Sequence, residues 1–176
     1  MSQIELEDAL LQRVAKQALT TNKPVENPIQ PVVTKSWDMP GFGAKSRVLT
    51  SFGHVPFEAL RRRDPVKTKT GRFIEVQKVD VIRFDRRFLL THPEAQPIFI
   101  PQNALGGTVP TQPMLVSGGQ RVHIPTRFDQ PDGQKVSELI DRGNIARKPH
   151  GYFTYYTVSC GEPCSINVNG LWFEIS

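Results

Sequence analysis

Cysteine is scarce in this chain: Cys160 and Cys164, in the segment CGEPC, are the two among 176 residues. Thiolate metal centres draw four ligands from spaced pairs, and no second pair exists, so a structural zinc site of that type is excluded and no metal or other cofactor is expected. Three residues separate the two thiols, which allows a disulfide without requiring it; the plainer reading is two small, half-buried thiols on a turn. Long apolar runs are also missing, since none approaches the roughly 20 residues that a membrane helix needs. The opening MSQIELEDALLQ is acidic where a secretory signal is basic, so the chain is expected to remain in the cytoplasm, or in a virion or phage-like particle assembled there. Charge of one sign is not dominant either. A net charge of +5 permits contact with phosphate or acidic protein and demands neither.

Proline and glycine are plentiful, at 15 and 13, which favours short strands joined by turns over long helices. At the N-terminus, Ser2 and Glu5 fit a capping box, and Ile4, Leu10, Leu11, Val14, Ala15 and Ala18 share one helical face that Glu7 interrupts. Residues 1–20 are therefore expected to form an amphipathic helix that must bury its stripe against something. Residues 21–40 carry Pro24, Pro28, Pro31 and Pro40, which rule out a helix and remove ladder donors, so they read as an extended arm. From Ser46 the grammar changes. The segments SRVLT, PVKTK, FIEVQKVDVIRF, PIFIP, PMLVS, QRVHIP, YFTYYTVS, SINVN and LWFEIS are rich in β-branched and aromatic residues and are bounded by Gly, Pro, Asn or Asp. One short helix is expected within GQKVSELIDRGN, where Val136, Leu139 and Ile140 share a face and Gly143 ends it. The fold class is mainly β, with residues 41–176 as the domain.

Several segments resemble the hedgehog/intein (Hint) family when taken in order. GFGAKSRV, with Gly41 leading, fits the family's opening Cys-Phe-x-x-Gly-Thr-x-Ile, and PFEALRRRDPVKT is similar to its Pro-Val-Glu-x-Leu-x-x-Gly-Asp-x-Val. PIFIPQNALGGTVPTQPMLVSGGQRVHIP, VSELIDRGNI and YFTYYTVSCGEPCSINVNGLWFEIS resemble the later strands, the helix end and the closing Asn-Gly hairpin. Each motif is weak alone, but five in order over residues 41–176 are more specific.

The resemblance implies a chemistry that this sequence departs from. In active members the first Cys attacks the preceding carbonyl to form a thioester, dividing one difficult cleavage into two easier steps. Gly41 occupies that place here, and the nearest hydroxyls are Ser36 and Ser46. The family's Thr-x-x-His reads Ser117, Gly118, Gly119, Gln120, and glutamine hydrogen-bonds but does not carry a proton near neutral pH. His123 lies three residues on, an odd number of strand steps, and is expected on the other face, packed or exposed. The family's late histidines fall near Thr157 and Pro163, and Ser176 stands where a closing His-Asn is expected. With nucleophile, base and asparagine replaced, the chain is expected not to be an enzyme and to have no catalytic residue.

The leading expectation is thus a non-catalytic structural module of an assembly such as a phage-like particle's head, connector or tail. It would dock on protein subunits through residues 1–40, with Ile4, Leu10, Leu11, Val14, Ala18 and Trp37 as contacts. Trp37 could anchor in a neighbour's pocket or pack on its own domain; Trp172, Tyr155 and Tyr156 read as core or arm-docking residues. The first rival is an autoprocessing domain using Ser36 or Ser46. The second is a nucleic-acid-associated module using the basic turn 61–72, with Arg61, Arg62, Arg63, Lys67, Lys69 and Arg72. That run lacks interleaved aromatics and contains Asp64, so a solvated turn is the plainer reading and nucleic acid is not an expected partner. NALGGTVP cannot cradle a phosphate, because Pro110 and Pro113 deny it a following helix.

Overall fold

Alternation along the strands turns apolar side chains inward. In β2 (Arg47–Thr50), Val48 and Thr50 turn inward while Arg47 faces solvent, as the two-residue period of a strand requires. The computed structural model describes residues 37–125 and 132–176. The helix expected over residues 1–20, with Ile4, Leu10, Leu11, Val14 and Ala18, lies outside the described residues, as do arm residues 21–36 including Ser36.

Each of the nine strand-rich segments contains a strand. In one sheet, β11 (Ala146–Arg147), β7 (Ile98–Ile100), β8 (Met114–Val116), β1 (Phe42–Gly43), β12 (Phe153–Ser159) and β6 (Lys78–Phe84) lie in that order. The other runs β10 (Gln134–Lys135), β9 (Arg121–His123), β14 (Leu171–Ile175), β13 (Cys164–Val168), β2, β4 (Pro65–Lys67) and β5 (Phe73–Glu75), with β3 (Gly53–Pro56) also paired to β2. Every pairing between these strands is antiparallel. The longest aligns Phe153 with Phe84 through to Ser159 with Lys78. The expected Asn-Gly turn joins β13 to β14, with Asn169 at φ 49° and Gly170 at φ 84°, the left-handed pair that a tight hairpin selects.

Among the described residues helical structure is slight. Residues Val136–Leu139 form a 3₁₀ turn rather than a longer helix, and Val136 and Leu139 still point into the core as expected. Among the described residues the α-helix is elsewhere, at α1 (Arg86–Thr91), where Asp85 caps it by accepting a hydrogen bond from the Phe88 amide at 2.8 Å.

The main core takes residues from both sheets, among them Phe42, Val48, Ile98, Val116, Val122, Ile166 and Phe173. Phe42 stacks on Phe57 with ring centroids 4.5 Å apart and meets Phe173 edge-on at 5.1 Å. A second cluster holds Leu89, Ala95, Phe153 and Tyr155, with Trp37, Met39, Phe84 and Phe88 packed on it. The compact unit begins at Ser36, so residues 37–40 belong to it.

Candidate functional site

Strand β1 is two residues long, and the chain enters it across a turn built from Ser117, Gly118, Gly119 and Gln120. That turn closes through the Gln120 amide, which donates to the Ser117 carbonyl at 3.1 Å. It grips the entering segment on both sides of the Pro40–Gly41 bond. Upstream, the Ser117 hydroxyl donates to the Met39 carbonyl at 2.5 Å. Downstream, the Gly41 amide donates to Gln120 Oε1 at 3.2 Å, and the Ser117 amide donates to the Gly41 carbonyl at 2.9 Å. Ser117 is fully buried and Gln120 is 2% exposed, so water competes little for these bonds.

The Gln120 side chain has one consistent orientation. Its Nε2 donates to the Glu174 carbonyl at 2.6 Å and more weakly to the Arg121 carbonyl at 3.4 Å, which leaves Oε1 to face Gly41. Gly119 is demanded by close approach: a Cβ there would lie 2.4 Å from the Asp38 carbonyl carbon and 2.7 Å from the Met39 oxygen. Gly41 sits against Tyr155, whose Cβ and Cδ1 would be 3.0 and 3.1 Å from an added Cβ. With φ +159° at Gly41, a side chain at position 41 is strained and also requires Tyr155 to yield by a few tenths of an ångström. Tyr155 is fully buried, donates to the Ala95 carbonyl at 2.9 Å, and is held well above the ordinary tyrosine range by burial.

A cavity of about 1200 Å³ opens beside this junction, lined among others by Pro40, Gln120, His123, Thr157, Pro163 and Ser176. Thr157 and Pro163, the places of the family's late histidines, thus do face the site, without imidazoles. His123 lines this cavity together with Gln120; Gln120 and Val122 are buried while Arg121 is exposed and His123 half-buried, the alternation expected. His123 Nε2 lies 3.2 Å from Glu174 Oε1 and 3.3 Å from Ser165 Oγ. Burial lowers the His123 pKa and nearby Lys69 adds to this, against the opposing pull of Glu174 and Asp132.

Other sequence candidates are placed differently. Ser46 is buried on the turn after β1, its hydroxyl has no hydrogen-bond partner among the described residues, and it is not among the residues lining the cavity. Trp37 packs on its own domain, edge-on to Phe84 at 5.7 Å and Phe88 at 6.1 Å, and donates from Nε1 to Ser117 Oγ at 3.1 Å. The basic run divides: Arg61, Arg62 and Arg63 are exposed on a turn, Lys67 sits over the Phe73 ring, and Lys69 and Arg72 face the cavity. Cys160 is buried and Cys164 half-buried, both as free thiols; burial raises each, Cys160 to about 12, so it stays a thiol at neutral pH. Among the described residues there is no cluster of side chains suited to a metal. No helix among them is long and apolar enough to cross a membrane.

Comparison with known proteins places this geometry. No curated protein matches the sequence. The model of the Hint domain matches residues 40–175. Among solved structures, the DnaB intein from Synechocystis sp. PCC 6803 is similar at 10% identity and TM-score 0.53, covering 78% of this chain and 99% of that one. A variant of the Ssp DnaB mini-intein is similar at 11% identity and TM-score 0.52, covering 80% and 97%. The MchDnaB-1 intein is similar at 7% identity and TM-score 0.50, covering 77% and 99%. These likenesses show a shared fold. The family match corrects the expectation that the chain is not an enzyme: that expectation rested on three replaced side chains, whereas the domain is one whose active members process their own backbone. With the motifs in order, the turn gripping the junction and the family model matching residues 40–175, this chain belongs to the Hint domain family.

Proposed function

We propose that this domain processes its own backbone at the Pro40–Gly41 peptide bond. The observation that supports it is the two-sided grip on that bond, with Ser117 on the Met39 carbonyl and Gln120 on the Gly41 amide. Holding the peptide from both ends fixes the carbonyl for attack and removes orientational freedom before the reaction begins. Gln120 Oε1 directs the leaving nitrogen's hydrogen away from the attacked carbonyl, although the amide delivers no proton. Gly41 supplies no nucleophile, so attack on the Pro40 carbonyl comes from outside the chain. Water enters through the cavity, its oxygen bonds to the Pro40 carbonyl carbon, and the carbon–nitrogen bond breaks. Pro40 leaves as a carboxylate and Gly41 as a new amino terminus. His123 lines the same cavity and burial lowers its pKa, so it takes a proton from the incoming water and passes it to the Gly41 nitrogen as the carbon–nitrogen bond breaks.

The test is intact mass of the full chain over days at neutral pH, with and without hydroxylamine, for the native sequence and for Gly41→Cys. Scission between residues 40 and 41 is expected to be slow in the native chain. With the side-chain thiol restored, hydroxylamine should accelerate it by about 100-fold or more. If both chains keep their intact mass while remaining folded, the proposal is wrong.

A further inference from the structure

Resting on that reading, we infer that the groove recognises the segment before the junction by its side chains, taking an aromatic residue at position 37 and an acidic one at position 38. Backbone contacts alone would accept any sequence. Two features here do not. The first is a notch formed by Phe84, at the end of β6, and Phe88, on α1, which stack on each other at 4.4 Å and each meet Trp37 in a T-shaped contact. The second is Lys135 on β10, which forms an ion pair with the Asp38 carboxylate. Gly119 lets the backbone of Asp38 and Met39 lie directly on the turn.

The notch also acts on the site itself. Trp37 Nε1 donates to Ser117 Oγ, which turns the single hydroxyl proton toward the Met39 carbonyl. Trp37 is thus a positioning residue that acts through Ser117. Its ring alone would fill the notch, but only an indole also sets the hydroxyl. The substrate class of this site is therefore a peptide in which Trp-Asp precedes a two-residue spacer and the glycine junction.

Hydrogen exchange at the Gly41 amide, whose partner is Gln120, reports seating of the segment in the full chain without requiring cleavage. Trp37→Ala is expected to raise that exchange at least about tenfold, while amides of β13 and β14 keep their protection. Asp38→Lys and Lys135→Glu, made singly, should each raise it about two- to fivefold, as fits a half-exposed ion pair, and the double variant should restore it. Trp37→Phe should keep most of the protection but slow hydroxylamine-triggered scission in the Gly41→Cys background. If Trp37→Ala leaves the Gly41 amide protected, or the double variant is no better than the singles, recognition by these side chains is overturned. Exchange in the expected order with no scission in any background would instead retain the recognition and remove the autoprocessing reading.

Discussion

Gln120 replaces an imidazole with an amide and so separates two tasks that one histidine can combine. Accepting from the Gly41 amide survives the replacement; donating a proton does not. The imidazole in the cavity lining is that of His123, whose surroundings are mixed: Lys69 on one side, Glu174 and Asp132 on the other. Because burial lowers its pKa below 6.5, the unfolded chain binds a proton at His123 before the folded chain does. The contribution of this residue to stability is fully present above pH 6.5 and declines as pH falls from there toward the lowered folded value. Urea midpoints between pH 8 and pH 5 should therefore fall with acidification, and His123→Gln should flatten part of that fall. An identical profile in the variant would mean that His123 is not the group responsible.

Elements of only a few residues carry the site, so their ends matter. Helix α1 has six residues, too few to persist by propensity alone, and its place depends on the Asp85 cap and on Phe88 and Leu89 packing inward. Phe88 is also one wall of the Trp37 notch. Asp85→Ala should cost about 1 kcal/mol locally, seen as faster exchange at the Phe88 and His92 amides, which are bonded to Asp85 Oδ1 and the Phe88 carbonyl. The Gly41 amide should loosen with them, because the notch loses its wall. If exchange in α1 is unchanged, the cap is not what holds this helix.

For the whole molecule, the stacked pair Phe42 and Phe57 links the junction to the core: Phe42 follows Gly41 directly, and both rings are buried with centroids 4.5 Å apart. Phe57→Ala should cost about 3–5 kcal/mol by lost transfer energy and an unfilled cavity. The urea midpoint should drop accordingly, with the site loosened only as part of global unfolding. A loss below about 1 kcal/mol would show that the core closes around the gap and that the stack contributes little.

The sequence by itself determined the mainly β class, the nine strand-bearing segments, the Asn-Gly hairpin and the family. These follow from local alternation, turn residues and motif order, all of which are written along the chain. It also placed Ser117 and Gln120 in the right motif, but attached no task to them, because the missing cysteine and histidine suggested an empty site. Only tertiary structure decided that the turn 117–120 grips Met39 and Gly41, residues some 80 positions away, and that Trp37 turns onto Phe84 and Phe88. Such contacts depend on how two sheets and a six-residue helix pack, and no local pattern encodes distances between segments so far apart in sequence.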